Sequence, residues 1–324
     1  MKFALGCLVV TLALVAWVWF RPPETYVVRP LPPVPVNLVE HLEQSENRVQ
    51  GLREGTARGI VWADSAQQKT PYAIIYIPGF TATRAETAPM ADTVAARLGA
   101  NLYYARLSGH GTTADGLADA TVQQWLDDMR EAYAIGQVLG ERVIVMGTSM
   151  GGALSTWLTA QDDVDPAALV LISPAFALRD EASQRQLDAV LRLPAPDRLI
   201  RLIAGGYRTD EFPSEEAEHF WTARYRTDAV LDLARVFQLL QVTPLQHIET
   251  PALLVHSPND KVVDADLAAE RFSEFSSPLK RRVEFNESQN PFQHVIAGRI
   301  LSPNSTLQVA DLVSDFLREA TSSQ

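Results

Sequence analysis

The chain has 324 residues, 47% of them hydrophobic and 21% charged, with a formal net charge of −11. That balance suits one large globular domain or two small ones, with a core that needs no disulfide staple; Cys7, the one cysteine, cannot form one within the chain. The absence of a basic run argues against nucleic acid as a partner, and no zinc-type spacing, Walker loop or G-x-G-x-x-G fingerprint asks for a metal, nucleotide or other cofactor.

The N-terminus stands apart. Phe3 to Phe20 is an uncharged, mostly apolar run between Lys2 and Arg21. As a helix it would span about 27 Å, close to the ~30 Å hydrocarbon core of a bilayer. Trp17, Trp19 and Phe20 gather at one end, where an aromatic belt would sit. The expectation for residues 1–21 is a single-pass membrane anchor that places the rest of the chain outside the cytoplasm. A cleaved secretion signal is the runner-up, because no A-x-A-like site precedes Arg21. Lipidation at Cys7 fits less well, since most of the apolar run follows it. Residues 1–21 hold two cations and no acids, so removing them takes the net charge from −11 to −13. The remaining body has no electrostatic attraction to anionic lipid.

Residues 22–36 are proline-rich, with six prolines from Pro22 to Pro35, and read as an extended, semi-rigid stalk. From 37 to 324 short apolar runs alternate with amphipathic segments. Ala73–Ile77, Asn101–Ala105, Val143–Met146, Ala168–Ile172 and Ala252–His256 read as strands covered on both faces, being almost continuously apolar. Met90, Val94 and Leu98 make one helical stripe. Trp125, Met129, Ala132 and Gly136 make a second, and Val309, Leu312, Val313, Phe316 and Leu317 a third. This alternation predicts an α/β fold with a mostly parallel central sheet flanked by helices. From 176 to 243 no buried-strand run occurs. That interval predicts a helical cap inserted after one core strand and ended before the next, over the strand ends where α/β sites lie.

Candidate chemistry centres on VIVMGTSMGGAL. Gly147-Thr148-Ser149-Met150-Gly151 is a G-x-S-x-G between a strand and a helix, where the small residues let the two pass closely and lift the serine hydroxyl. A serine is a poor nucleophile without a base, and the base needs an orienting acid. In this arrangement the acid follows a late strand and the histidine comes last. ALLVHSPNDKVVD supplies Asp260; Asp264 and Asp266 compete but read as the start of the next helix. Among six histidines only His294 follows Asp260, in the loop after the strand candidate Arg282–Phe285. An oxyanion needs backbone N–H donors. Met150, after the nucleophile, is one candidate, and Phe80 in IPGFTAT is the other, with Thr81 in reserve.

IPGFTAT, RLSGHGTT, GTSMGG, SPNDKVVD and QHVIAG together resemble α/β-hydrolases of the serine carboxylesterase and monoacylglycerol lipase type, grouped with the serine aminopeptidase-like hydrolases. The resemblance runs from about Ala57 to Phe316. It implies the α/β-hydrolase fold, no cofactor, and acyl transfer to water by Ser149, His294 and Asp260. Pro78 stands where such enzymes usually carry histidine, a departure in the loop that would supply the second oxyanion donor. His110 in RLSGHGTT reads as structural, since it precedes the nucleophile.

The leading function is hydrolysis of a small carboxylic ester with a short or medium acyl chain, or one like a monoacylglycerol. Peptidase or amidase activity is the alternative within the same machinery. A non-catalytic binding protein on a hydrolase fold is a third reading, weakened because no triad residue is missing. A serine nucleophile argues against dehalogenase and epoxide hydrolase chemistry. Nothing in the chain indicates an oligomeric state.

Overall fold

The computed structural model describes residues 24–322. The expected membrane span Phe3–Phe20 lies outside them. No helix among the described residues is long and apolar enough to cross a membrane.

The strands are β1 Gly59–Val61, β2 Thr70–Ile77, β3 Asn101–Tyr104, β4 Gly140–Thr148, β5 Ala168–Ile172, β6 Tyr207–Thr209, β7 Arg224–Arg226, β8 Ala252–His256 and β9 Lys280–Glu284. Seven of them form one sheet in the order β1-β3-β2-β4-β5-β8-β9. β1 runs antiparallel to β3, and every other pair is parallel. This is the mostly parallel sheet that the apolar runs predict.

The central strands carry buried apolar runs, Ala73–Ile77 in β2 and Val143–Met146 in β4 among them, because the sheet is covered on both faces. Side chains alternate across a strand. Ile75, Ile77, Val143, Val145, Leu169 and Leu171 therefore face one way, into a core shared with the helices Val122–Leu139 and Met150–Thr159. Ile74, Tyr76, Ile144, Met146, Val170 and Ile172 face the other way, towards the helices Met90–Leu98 and Thr306–Ser322. Helix Val122–Leu139 begins at a capping box between Thr121 and Gln124, which satisfies two otherwise orphaned N–H groups.

Three elements depart from the sequence expectation. β1 is a short edge strand without an apolar run. β9 begins two residues before the expected Arg282, in KRR, and alternates between exposed and half-buried positions as an edge strand does. The interval 176–243 holds the helices Glu181–Leu191, Pro196–Ala204, Glu215–Phe220 and Ala229–Val242, and also the two-stranded antiparallel ribbon β6–β7. The ribbon escapes an apolar-run reading because β6 is wholly exposed and β7 places only Tyr225 in the interior.

The described part of the proline-rich segment forms neither helix nor strand up to Pro35, and it lies against the body. Val27 exchanges both backbone hydrogen bonds with the Gln123 side chain, at 2.9 and 3.0 Å. Arg29 pairs with Asp127, and Glu24 with Arg235 on the insertion. Tyr26, Leu31 and Val34 pack on the larger core.

Candidate active site

β4 ends at Thr148 and the next helix starts at Met150, so the chain reverses at Ser149 alone. Ser149 has φ 54° and ψ −121°. A non-glycine residue there carries about 1–3 kcal/mol of strain, which its surroundings must hold. They do so through three main-chain bonds. Ser149 N–H donates to Ile172 O at 3.0 Å, and Ser149 O accepts from Ala153 and Ala175 at 3.1 and 3.0 Å. The glycines on either side permit the close passage. A Cβ on Gly147 would fall 2.3 Å from Gly151 O, and one on Gly151 would fall 2.2 Å from Ile77 O.

Asp260 stands in the turn after β8, its N–H donating to Ser257 O at 3.2 Å. Its Oδ1 accepts the N–H groups of Val262 and Val263 at 2.8 and 2.9 Å. That leaves Oδ2 for His294, whose Nδ1 lies 2.7 Å away. His294 Nε2 lies 2.9 Å from Ser149 Oγ. The histidine loop is tied to the aspartate turn, since Lys261 N–H donates to Phe292 O and Lys261 Nζ to Pro291 O, both at 2.9 Å. Asp260, His294 and Ser149 are 2%, 8% and 8% exposed, so the chain of hydrogen bonds is largely shielded from water. Burial pushes the His294 imidazole down. The charge of Asp260, the hydrogen bond to it and the Glu86 carboxylate push harder the other way, and the net shift is upward.

The backbone beside Ser149 offers two further groups. Met150 is the first residue of its helix, where an N–H has no acceptor within the helix and the dipole favours negative charge. Phe80 follows Gly79 in a turn closed by Ala82 N–H donating to Gly79 O at 3.1 Å, with Thr81 at φ 65°. Because a trans peptide points its N–H opposite to its C=O, the Phe80 N–H faces out of that turn. The reserve residue Thr81 instead uses its carbonyl to accept Thr222 N–H from the insertion at 2.8 Å. Tyr225 of the insertion meets the Phe80 ring edge-on, with centroids 5.6 Å apart.

The competing residues fall elsewhere. Asp264 caps the helix Ala265–Ser273, its Oδ1 accepting from Asp266 and Leu267 at 3.1 and 3.0 Å. Asp266 faces Arg179 at 3.4 Å. His110 is fully buried against the rings of Phe80 and Trp125, which also meet each other, with Nδ1 3.2 Å from Ser108 O. Burial lowers it to about 4, which keeps it neutral. The acid that sequence reasoning missed is Glu86, buried beside Gly79 and pushed up to about 7 by burial. Nothing in TRAETAP marks it, because its significance comes from a turn seven residues away.

The family described as serine aminopeptidase, S33 matches residues 68–289, more than half of the chain. A thermostable monoacylglycerol lipase of Bacillus sp. (strain H-257) is 28% identical over 218 residues, which is 67% of this chain and 82% of that protein. Among solved structures, one from a study of the metagenome-derived lipolytic enzymes LipS and LipT superposes with TM-score 0.64 at 22% identity, covering 83% of this chain and 99% of that one. A soluble variant of monoglyceride lipase from Saccharomyces cerevisiae superposes with TM-score 0.61 at 12% identity, covering 82% and 91%. At such identities the likeness concerns the fold. The sheet order, the serine turn and the extent of the family match lead to one conclusion: the chain is an α/β-hydrolase and belongs to the serine aminopeptidase S33 family of hydrolases.

Proposed function

We propose that this hydrolase cleaves carboxylic esters through an acyl-enzyme on Ser149, taking short or medium acyl chains or monoacylglycerol-like esters. The observation that carries the reading is the unbroken run of hydrogen bonds from Asp260 through His294 to Ser149, at 2.7 and 2.9 Å. The likeness to a Bacillus monoacylglycerol lipase supports an ester as the substrate.

In the first half-reaction His294 Nε2 takes the Ser149 proton as Oγ attacks the ester carbonyl. The Phe80 and Met150 N–H groups donate to the oxyanion that forms. Asp260 fixes the proton of the imidazole on Nδ1 and stabilises the imidazolium. His294 then gives its proton to the departing alcohol. Water enters, and His294 takes a proton from it as the water oxygen attacks the acyl carbon; His294 then returns that proton to Ser149 Oγ as the C–O bond breaks and the carboxylic acid leaves. The upward shift of His294 fits this cycle, because it makes the neutral imidazole a stronger base for the Ser149 proton.

The test pairs an ester and an amide that share one acyl group, across a chain-length series, and labels the protein with a fluorophosphonate. Ester turnover exceeding amide turnover, together with label on Ser149, is the expected result. Faster amide turnover, or folded protein left unlabelled, would overturn the reading. We further propose that Phe3–Phe20 anchors the enzyme in a membrane with the hydrolase outside the cytoplasm. Full-length protein recovered with intact N-terminus in an alkali-washed membrane fraction is the expected finding; a mature N-terminus beyond residue 21 would contradict it.

A further inference from the structure

Glu86 ends the short turn Arg84–Glu86 and is 2% exposed. A carboxyl group in such a place needs donors, or it destabilises the fold. It has two on the same oxygen. Gly79 N–H donates to Oε2 at 2.9 Å, and the Tyr76 hydroxyl donates to it at 2.9 Å. The Tyr76 oxygen, fully buried on β2, also lies 3.1 Å from Thr148 Oγ1, on the residue before the serine. Glu86 therefore touches the turn that carries Phe80 directly, and the strand end that carries Ser149 through one tyrosine. The space between them is full: a Cβ on Gly79 would fall 2.8 Å from Glu86 Oε1 and 3.0 Å from Ser149 Cβ. The same segment is tied to the histidine loop, because Arg299 N–H donates to Ala88 O at 2.9 Å.

Gly79 is thus held at both ends. Its N–H goes to Glu86 and its C=O to Ala82 N–H. Peptide planarity ties the direction of the Phe80 N–H to the Gly79 C=O, and the bond to Glu86 holds the peptide before it.

We propose that Glu86 is a positioning residue for ester hydrolysis: by accepting Gly79 N–H and the Tyr76 hydroxyl, it aims the Phe80 N–H at the oxyanion in register with Ser149. The proposal rests on the esterase reading above. Glu86 touches no substrate and acts through the Gly79–Phe80 peptide. Its work is hydrogen-bond acceptance, which a glutamine carbonyl at the same place also supplies. Alanine supplies no acceptor: it leaves the Gly79 N–H unpaired and the Tyr76 hydroxyl with Thr148 Oγ1.

The test measures kcat and KM on p-nitrophenyl butyrate for the full chain and for Glu86→Ala, Glu86→Gln and Ser149→Ala, with the Glu86 variants normalised to active sites titrated by a phosphonate ester. Removing one oxyanion donor costs on the order of 10²-fold or more in kcat. Glu86→Ala is expected to lose roughly that factor in kcat per titrated site with KM changed less than about 3-fold, and Glu86→Gln to recover to within about 5-fold of the parent. A merely structural role would lower the melting temperature and the titrated fraction but leave kcat per site intact. If Glu86→Ala does not fold, Glu86→Met keeps the volume, removes the acceptor and carries the same expectation. Loss of the acceptor without loss of kcat per site, or a glutamine variant as impaired as alanine, would overturn the proposal. Turnover that survives Ser149→Ala would overturn the esterase reading and this role with it. Turnover lost in Ser149→Ala but kept in Glu86→Ala would overturn the role of Glu86 alone.

Discussion

Gly151→Ala probes the packing beneath Ser149. The added Cβ would stand 2.2 Å from Ile77 O and 2.5 Å from Pro78 O. A carbon settles against a carbonyl oxygen at about 3.3–3.6 Å, so main chain must move by about 1 Å. No flexible side chain can absorb the shift, since both partners are backbone carbonyls at and just beyond the end of β2. If they yield, Pro78 carries Gly79 and Phe80 away from the serine. If the helix start yields, Met150 N–H moves with it. Either movement spoils the spacing between the proposed donors and Ser149. A misplacement of ~1 Å costs on the order of 10²-fold in rate, or about 2.7 kcal/mol in the barrier. The overpacking itself costs about 1–3 kcal/mol of stability. The assay is kcat and KM on a chromogenic ester alongside thermal melting. The expected result is a folded variant with kcat lower by roughly 10²-fold and KM within about 3-fold. A folded variant with kcat within about 3-fold of the parent would refute the argument that this contact sets the geometry.

Two further outcomes follow from the aspartate and the histidine. In Asp260→Asn the side-chain oxygen stays with the Val262 and Val263 N–H groups, which turns the amide NH2 towards His294 Nδ1. The imidazole must then carry its proton on Nε2, where it cannot accept one from Ser149, and kcat should fall by about 10⁴-fold; a loss under about 10-fold would contradict this tautomer argument. The rate should also follow the protonation of His294. Its net shift is upward, and only the neutral ring can act as base, so kcat/KM should rise with pH through a value above the ordinary ~6.5 of histidine. A pH–rate profile with its acid limb below that value would show that Asp260 and Glu86 do not outweigh burial at His294.

Much of the fold was legible because buried parallel strands leave an unmistakable local trace. Ala168–Ile172 and Ala252–His256 match their apolar runs residue for residue, since both their faces are covered. Edge elements leave no such trace: β1 and β9 need alternate only weakly, and the exposed β6 pairs with β7 through main-chain bonds that side-chain pattern does not report. Chain order singled out Ser149, Asp260 and His294, and the fold brings these three into one hydrogen-bonded run across separations of 34 and 145 residues. Glu86 was invisible because its partner groups are a backbone N–H and a tyrosine hydroxyl, neither of which has a sequence signature. The direction of the Phe80 N–H was equally hidden, depending as it does on the turn closed by Ala82.

The most direct test of the account is Ser149→Ala, measured as kcat/KM on a short-chain ester with melting temperature as the control for folding. Among the described residues the side chain hydrogen-bonds to His294, so its loss should leave the fold intact. Catalysis by a nucleophilic serine predicts a loss of at least about 10⁴-fold. A folded Ser149→Ala protein that retains turnover within about tenfold of the parent would contradict it.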